Sequence, residues 1–183
     1  MTAIHDVIII GSGPAAGWPP AGLTGGEQQQ ASRENRKEDK MGVSSIADPE
    51  IRAFLAEGTR TGKLAFLSSS GHPLVTPVWF VLEGDTVVFN TGKDTAKGRY
   101  LARDPRVSLC VDLEAPPYAF VQVQGDAELS EERDELVRTA TLIGARYMGP
   151  ERAEEFGKRN GVPGELVVRI RPTKVLATFD MTG

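Results

Sequence analysis

The sequence predicts a mainly-β (α+β) domain: a six-stranded antiparallel barrel with peripheral helices, preceded by an N-terminal extension. Three observations point there. Short apolar stretches joined by glycine-containing turns follow one another from Lys63 to Thr91. A single helical stretch interrupts the strands after the third. A helical pair then precedes the last strand. Six strands enclose too little space for a deep ligand cavity, so a cofactor-sized ligand belongs on the outside or at a subunit interface.

Each element has a local cause. Asp48-Pro49 caps a helix running to about Glu57, with Ile51, Phe54 and Leu55 on one face. Gly58 and Gly62 stop it. Lys63 to Ser69 reads as the first strand, and Ser70-Gly71-His72-Pro73 as a turn. Leu74 to Leu82 is the second strand, apolar on both faces and therefore expected to be buried on both. Glu83-Gly84-Asp85 forms a three-residue hairpin connection to the third strand, Thr86 to Thr91. Asp94 to Arg103 is helical and ends before Asp104-Pro105. Arg106 to Asp112 is the fourth strand, and Tyr118 to Leu129 the fifth, bent by a bulge at Gly125. Ser130 opens a helix to about Met148 in a capping-box-like arrangement, with Arg133 where the acidic partner usually stands. A short helix spans Glu151 to Lys158. Glu165 to Phe179 is the last strand, with Pro172 at a bend or edge.

Composition removes several function classes. The chain has 183 residues, 40% hydrophobic and 25% charged, which fits one globular domain plus a tail. A single cysteine, Cys110, allows no internal disulfide and no cysteine-rich zinc site, and a cytoplasmic location is expected. Net charge is −4, so non-specific nucleic-acid binding is not expected. No apolar run reaches the length of a membrane span. His5 lies in the extension, and His72 lies in a turn as a surface residue. No nucleophile elbow, metal-ligand helix or Walker loop is present, so any hard chemical step needs a cofactor.

Residues 1–40 have a different texture from residues 41–183. Asp6-Val7-Ile8-Ile9-Ile10-Gly11-Ser12-Gly13 reads as a first strand and glycine turn of a dinucleotide-binding fold. That fold needs a helix at once, and Gly17-Trp18-Pro19-Pro20 cannot continue one. The segment reads as a truncated motif followed by a flexible extension, with Met41 a candidate start.

Three stretches of residues 41–183 carry candidate chemistry. Residues 93–106 contain five basic residues (93, 97, 99, 103 and 106) against two Asp (94 and 104), a local +3 in an acidic chain. A strand delivers Asn90 and Thr91 into a helix N-terminus, where free N–H groups and positive potential favour anions. Thr91 and Thr95 add hydroxyls, Arg99 adds a fork of donors, and Lys93 and Lys97 share a side if the helix begins early. The set makes a phosphate cradle; the alternative is a solvated basic helix on a barrel end. The second stretch is Pro77, Val78 and Trp79. Proline removes a ladder donor there, and an opened backbone beside an indole suits a flat heteroaromatic ring, while Phe80 is assigned to the core. The third is Tyr118, after Pro116-Pro117, which either covers a ligand edge or meets a partner subunit. Cys110 is expected to be buried and inert.

Several runs together resemble a known family. They are Thr61-Gly62-Lys63-Leu64-Ala65, His72 to Phe80, Phe89-Asn90-Thr91, Thr95-Ala96-Lys97-Gly98-Arg99 and Asp104-Pro105-Arg106-Val107-Ser108. In this order, across about residues 45–181, they resemble the pyridoxamine 5'-phosphate oxidase-like (PPOX class) family, and within it the deazaflavin branch of coenzyme F420-dependent oxidoreductases. Residues 1–17 resemble the opening of a thioredoxin-reductase-like FAD-binding motif. The resemblance implies a PNPOx-like, FMN-binding type of split β-barrel, a homodimer with the cofactor at the interface. It implies that Lys97 and Arg99, with Thr91 and Thr95, hold the cofactor phosphate. Pro77, Val78 and Trp79 would line the ring, and Lys93 would meet the acidic tail of F420. The implied activity is hydride transfer from reduced F420 to an electron-poor small-molecule acceptor. FMN is the alternative cofactor, and cofactor binding without turnover the alternative role. Tyr118 is the named candidate for any proton.

Overall fold

The computed structural model describes residues 44–182. The extension of residues 1–40 and its glycine motif lie outside the described residues. Seven strands form one antiparallel sheet: β1 (Gly62–Leu67), β2 (Pro73–Val78), β3 (Val81–Glu83), β4 (Thr86–Gly92), β5 (Arg106–Asp112), β6 (Phe120–Ser130) and β7 (Glu165–Thr178), in the order β2-β1-β5-β6-β7-β4-β3. Around it lie helices α1 (Pro49–Ala56), α2 (Ala96–Arg103), α3 (Arg133–Met148) and α4 (Ala153–Asn160), with a 3-10 turn at Pro150–Arg152.

The expected count of six strands is corrected to seven, because the stretch from Leu74 to Leu82 is two strands. β2 pairs with β1, whereas β3 pairs with β4 at the other edge of the sheet. Only Trp79 and Phe80 separate them. Val78 and Val81 are three residues apart, so their Cα atoms lie within about 11 Å. The sheet therefore curls until its edges face one another, but its ladder stays open there. The break is stabilised from outside the sheet: the Phe80 N–H donates to the Tyr147 hydroxyl (3.3 Å), and the Phe80 carbonyl accepts from Arg146 (2.9 Å).

β2 is also not buried on both faces. Phe80 is fully buried as expected, and Val78 is buried, but Val75 is 67% exposed. The register explains how an edge strand tolerates this. Ser68 N–H donates to the His72 carbonyl, so His72, Leu74, Thr76 and Val78 turn their backbone groups towards β1. Pro73, Val75 and Pro77 turn theirs outward. Two of these three lack an N–H, which leaves the free edge poor in donors for a foreign strand.

Several boundaries shift for capping reasons. Asp48 caps α1 as expected, accepting from the Glu50 and Ile51 N–H groups. α2 begins at Ala96, not Asp94, because the Thr95 side chain accepts from the Gly98 N–H. α3 begins at Arg133 with Glu132 as its cap, while Ser130 ends β6. The β3–β4 turn has two residues, Gly84 and Asp85, between the paired Glu83 and Thr86, with Gly84 at φ +54°. The short helix predicted over Glu151–Lys158 is a 3-10 turn followed by α4, and the last strand ends at Thr178. The irregularity expected at Gly125 is found there, but the extra residue lies on the partner strand: Gln124 pairs with Lys174 and Gly125 with Pro172, so Thr173 of β7 is the unpaired residue. A side chain at Gly125 would collide with the Arg171 carbonyl.

The core sits inside the curl, where Leu64, Leu109, Val111, Val121, Val123 and Ile170 are all fully buried. In β4 the consecutive Val87, Val88 and Phe89 are all buried, since α3 covers the face turned away from that core. Each such aliphatic or aromatic side chain contributes roughly 1.5–3 kcal/mol of burial. α3 and α4 approach closely through glycine: a Cβ on Gly144 would lie 2.6 Å from the Phe156 Cβ, and one on Gly157 would strike the Thr141 hydroxyl. Among the described residues, no helix is long and apolar enough to cross a membrane.

Candidate functional site

The turn between β4 and α2 is built from its own hydroxyls. Thr95 Oγ1 donates to the Gly92 carbonyl (2.7 Å), accepts from the Gly98 N–H (3.1 Å) and lies 3.3 Å from Thr91 Oγ1. Thr91 is buried. Gly98 permits the helix to press on this turn, since a Cβ there would meet the carbonyls of Gly92 and Lys93. The local sequence thus fixes the first turn of α2 rigidly against the end of β4.

This turn sorts the basic cluster. Lys93 precedes the helix and pairs with Glu131 at 2.6 Å, so it does not share a helical face with Lys97. Arg103 donates to the Ser68 carbonyl (2.7 Å), and Arg106 makes a two-pronged pair with Asp104, whose carboxyl is lowered to about 2 by those bonds. Lys97 and Arg99 remain. Among the described residues neither has a carboxylate within ion-pairing distance. Arg99 is exposed, and Lys97 is half-buried, 5.6 Å above the Phe89 ring. Burial pushes the Lys97 ammonium below its ordinary pKa, only partly offset by the charge of Glu165.

Lys97 opens onto a cleft of about 370 Å³. Pro77, Val78 and Trp79 come from the end of β2 and the break after it, and Asn90 from β4. Ala140 and Ile143 come from α3 and Asn160 from the end of α4. Five residues predicted from sequence therefore meet in one place: Pro77, Val78, Trp79, Asn90 and Lys97. Trp79 is 39% exposed, and its ring stacks on Tyr147 at 5.0 Å and 4°. Asn90 Nδ2 donates to the Leu136 carbonyl (3.4 Å), but its Oδ1 is buried with no partner among the described residues. An orphaned acceptor, a half-buried cation with no ion-paired carboxylate among the described residues and a supported indole on one cleft fit a planar ligand carrying an anionic group.

The other candidates are placed elsewhere. Lys93 and Arg99 border a second depression of about 450 Å³, with Glu131 and Leu166. Thr91 and Thr95 lie within the turn and line neither. Tyr118 is 44% exposed in the loop before β6, at φ +50°, and borders neither depression. A larger groove, about 470 Å³, crosses β1, β5 and β6; its charged groups are Arg106, already paired, and Asp126. Size alone does not mark the site. Cys110 is half-buried, and burial raises its thiol above the ordinary range, which disfavours thiolate chemistry.

Ala140, Ile143 and Asn160 were not singled out from sequence. They reach the cleft only through the packing of the α3–α4 pair, and no local pattern announces that. The small residues Gly144 and Gly157, which allow the close approach, were the available signal.

The family model described as pyridoxamine 5'-phosphate oxidase matches residues 47–179. A conserved hypothetical protein from Mycobacterium tuberculosis has a similar structure, with a TM-score of 0.64 and 26% identity over 74% of this chain and 86% of that one. A protein named as an F420 reductase gives a TM-score of 0.53 at 22% identity, over 68% of this chain and 94% of the other, which is a likeness of fold. A heme binding protein from Mycobacterium smegmatis gives 0.53 at 26% identity, over 71% of this chain and 53% of the other. No curated protein sequence matches the chain.

Proposed function

The chain belongs to the pyridoxamine 5'-phosphate oxidase family, and from that premise we propose that it is an F420-dependent reductase acting on an electron-poor small molecule. The observation that carries this reading is the shared cleft of Lys97 and Trp79: a half-buried cation without a carboxylate partner beside an indole already stacked on its far side. Lys97 would hold the cofactor phosphate on the cleft, Thr91 and Thr95 would fix the turn that carries it, and Arg99 and Lys93, on the neighbouring depression, would be available to an acidic tail. Pro77, Val78, Trp79 and Ile143 would keep water from the ring, and Asn90 would offer its free acceptor to a ring N–H. When bound, reduced F420 supplies the hydride. The protein's part is proximity and orientation, since among the described residues Lys97 is the one ionisable side chain on the cleft. Any proton then comes from solvent, or from the Tyr118 of a second copy, since Tyr118 does not border the cleft of its own chain. We further propose a homodimer that covers the outer sheet face, where Val75 and Leu176 are exposed, together with the loop that carries the exposed Tyr118.

FMN remains a second cofactor of the same geometry. A non-catalytic binding role is the other alternative, and the cleft's side chains do not decide between the two, since hydride transfer needs no acid–base pair. Haem is disfavoured, because among the described residues no His, Cys, Met or Tyr lines the cleft to serve as an axial ligand. The test is turnover: the chain, reduced F420 and a panel of unsaturated carbonyls and quinones, followed by reoxidation of the cofactor. The proposal expects protein-dependent oxidation with at least one acceptor. Tight binding without turnover across the panel would favour the non-catalytic role.

A further inference from the structure

The indole of Trp79 sits on the two-residue crossover between the opposite edges of the sheet, a place where backbone has no ladder to fix it. Two consecutive residues near the end of α3 supply what the ladder does not. Arg146 spends its guanidinium on three carbonyls, those of Phe80 (2.9 Å), Leu55 (2.7 Å) and Gly58 (3.0 Å), and lies over the Phe80 ring at 4.5 Å. Tyr147 accepts from the Phe80 N–H (3.3 Å) and donates to the Arg60 carbonyl (2.8 Å). Its ring lies parallel to the indole, 5.0 Å away, while Phe156 of α4 approaches the same indole at 6.1 Å and 47°.

We propose that Tyr147 is a positioning residue for the cleft, its ring backing the Trp79 indole and its hydroxyl tying that ring to the crossover. This rests on the functional reading above in one respect, that the ligand on the cleft side is a flat ring. Tyr147 itself does not line the cleft, so it touches no ligand and acts through Trp79. Its hydroxyl stays neutral at physiological pH, since burial raises its pKa and the bond from Phe80 N–H only partly opposes this. It therefore both donates and accepts. The two parts of the side chain separate by substitution. Tyr147→Phe removes both hydrogen bonds and keeps the ring; Tyr147→Leu removes the ring as well.

The experiment uses the full chain carrying Trp18→Phe, so that Trp79 is its one tryptophan. Trp79 emission and acrylamide quenching are measured without ligand, F420 affinity is measured by titration, and thermal midpoints are measured for both variants. In Tyr147→Leu, Trp79 emission shifts to longer wavelength, its quenching rises, and F420 affinity falls roughly fivefold, the size of one lost aromatic pair. In Tyr147→Phe, which keeps the ring but unties it from the crossover, the thermal midpoint falls, and Trp79 quenching and F420 affinity change in the same direction as in Tyr147→Leu but by less. Unchanged Trp79 quenching in Tyr147→Leu would overturn the proposal. So would a loss of affinity in both variants that merely follows their loss of stability. If the parent binds no F420, the functional reading fails, and the ligand-free quenching still decides the role of Tyr147.

Discussion

Lys97 is costly where it stands. Burial places its folded-state pKa below the unfolded value, so at neutral pH the charged form disfavours the ligand-free fold. That cost is present in full below the folded pKa and fades as pH rises through it. Lys97→Met should therefore raise the thermal midpoint of the ligand-free chain at pH 7, by a margin that shrinks as the pH approaches the ordinary lysine range. The same substitution should weaken binding of a phosphorylated cofactor about tenfold or more, the worth of one charge-assisted hydrogen bond. Melting curves and a binding titration on one preparation check both. A variant less stable than the parent would mean that Lys97 serves packing rather than binding. At this scale the sequence was informative about identity but not about pairing. Thr95 as a cap and Phe80 as core follow from local pattern. That Lys93 is taken by Glu131, 38 residues away, does not, because ion pairing across elements leaves no periodic trace.

α3 forms one wall of the cleft, and its grip on the sheet is ionic as well as apolar. Arg169 of β7 donates to Glu83 (2.8 Å) and Glu135 (2.7 Å), and Arg138 of α3 also reaches Glu83 (2.6 Å). Burial alone would raise the Glu83 carboxyl; the bonds from Arg169 and Arg138 outweigh it and hold it below the usual carboxylate range. A depressed carboxylate stabilises the fold above its unfolded pKa, and that contribution is lost as pH falls through the folded value. Arg169→Met should cost about 1–3 kcal/mol at pH 7 by urea unfolding, because Glu135 loses its arginine and Glu83 keeps only Arg138. The difference from the parent should narrow as pH falls below the ordinary carboxylate range, through the lowered folded-state values of Glu83 and Glu135. A pH-independent cost would assign Arg169 a packing role alone. The strands and helices were mostly legible as elements, since alternation, caps and glycine turns are local. The division of Leu74–Leu82 was not. Its cause is the hold of Arg146 and Tyr147 on Phe80, 66 and 67 residues further along.

At the level of the whole molecule, the curled sheet brings the end of β2, the turn after β4 and the α3–α4 pair to one cleft, although they are far apart in sequence. Five predicted residues were legible because β2 and the β4–α2 turn each carry their own chemistry in a short run. The wall of Ala140, Ile143 and Asn160 was not, because it exists only through helix packing across Gly144 and Gly157. The outer sheet face remains open in the single chain, which is the ground for placing a second copy there. The central claim, that this cleft holds F420 through Lys97 in a dimer, is tested most directly by sedimentation velocity of the full chain with F420, following the visible absorbance of the cofactor. The account predicts that F420 sediments with a species of twice the chain mass and returns to the free fraction with Lys97→Ala. F420 that stays unsedimented with the unaltered chain, or that binds Lys97→Ala equally well, would contradict it.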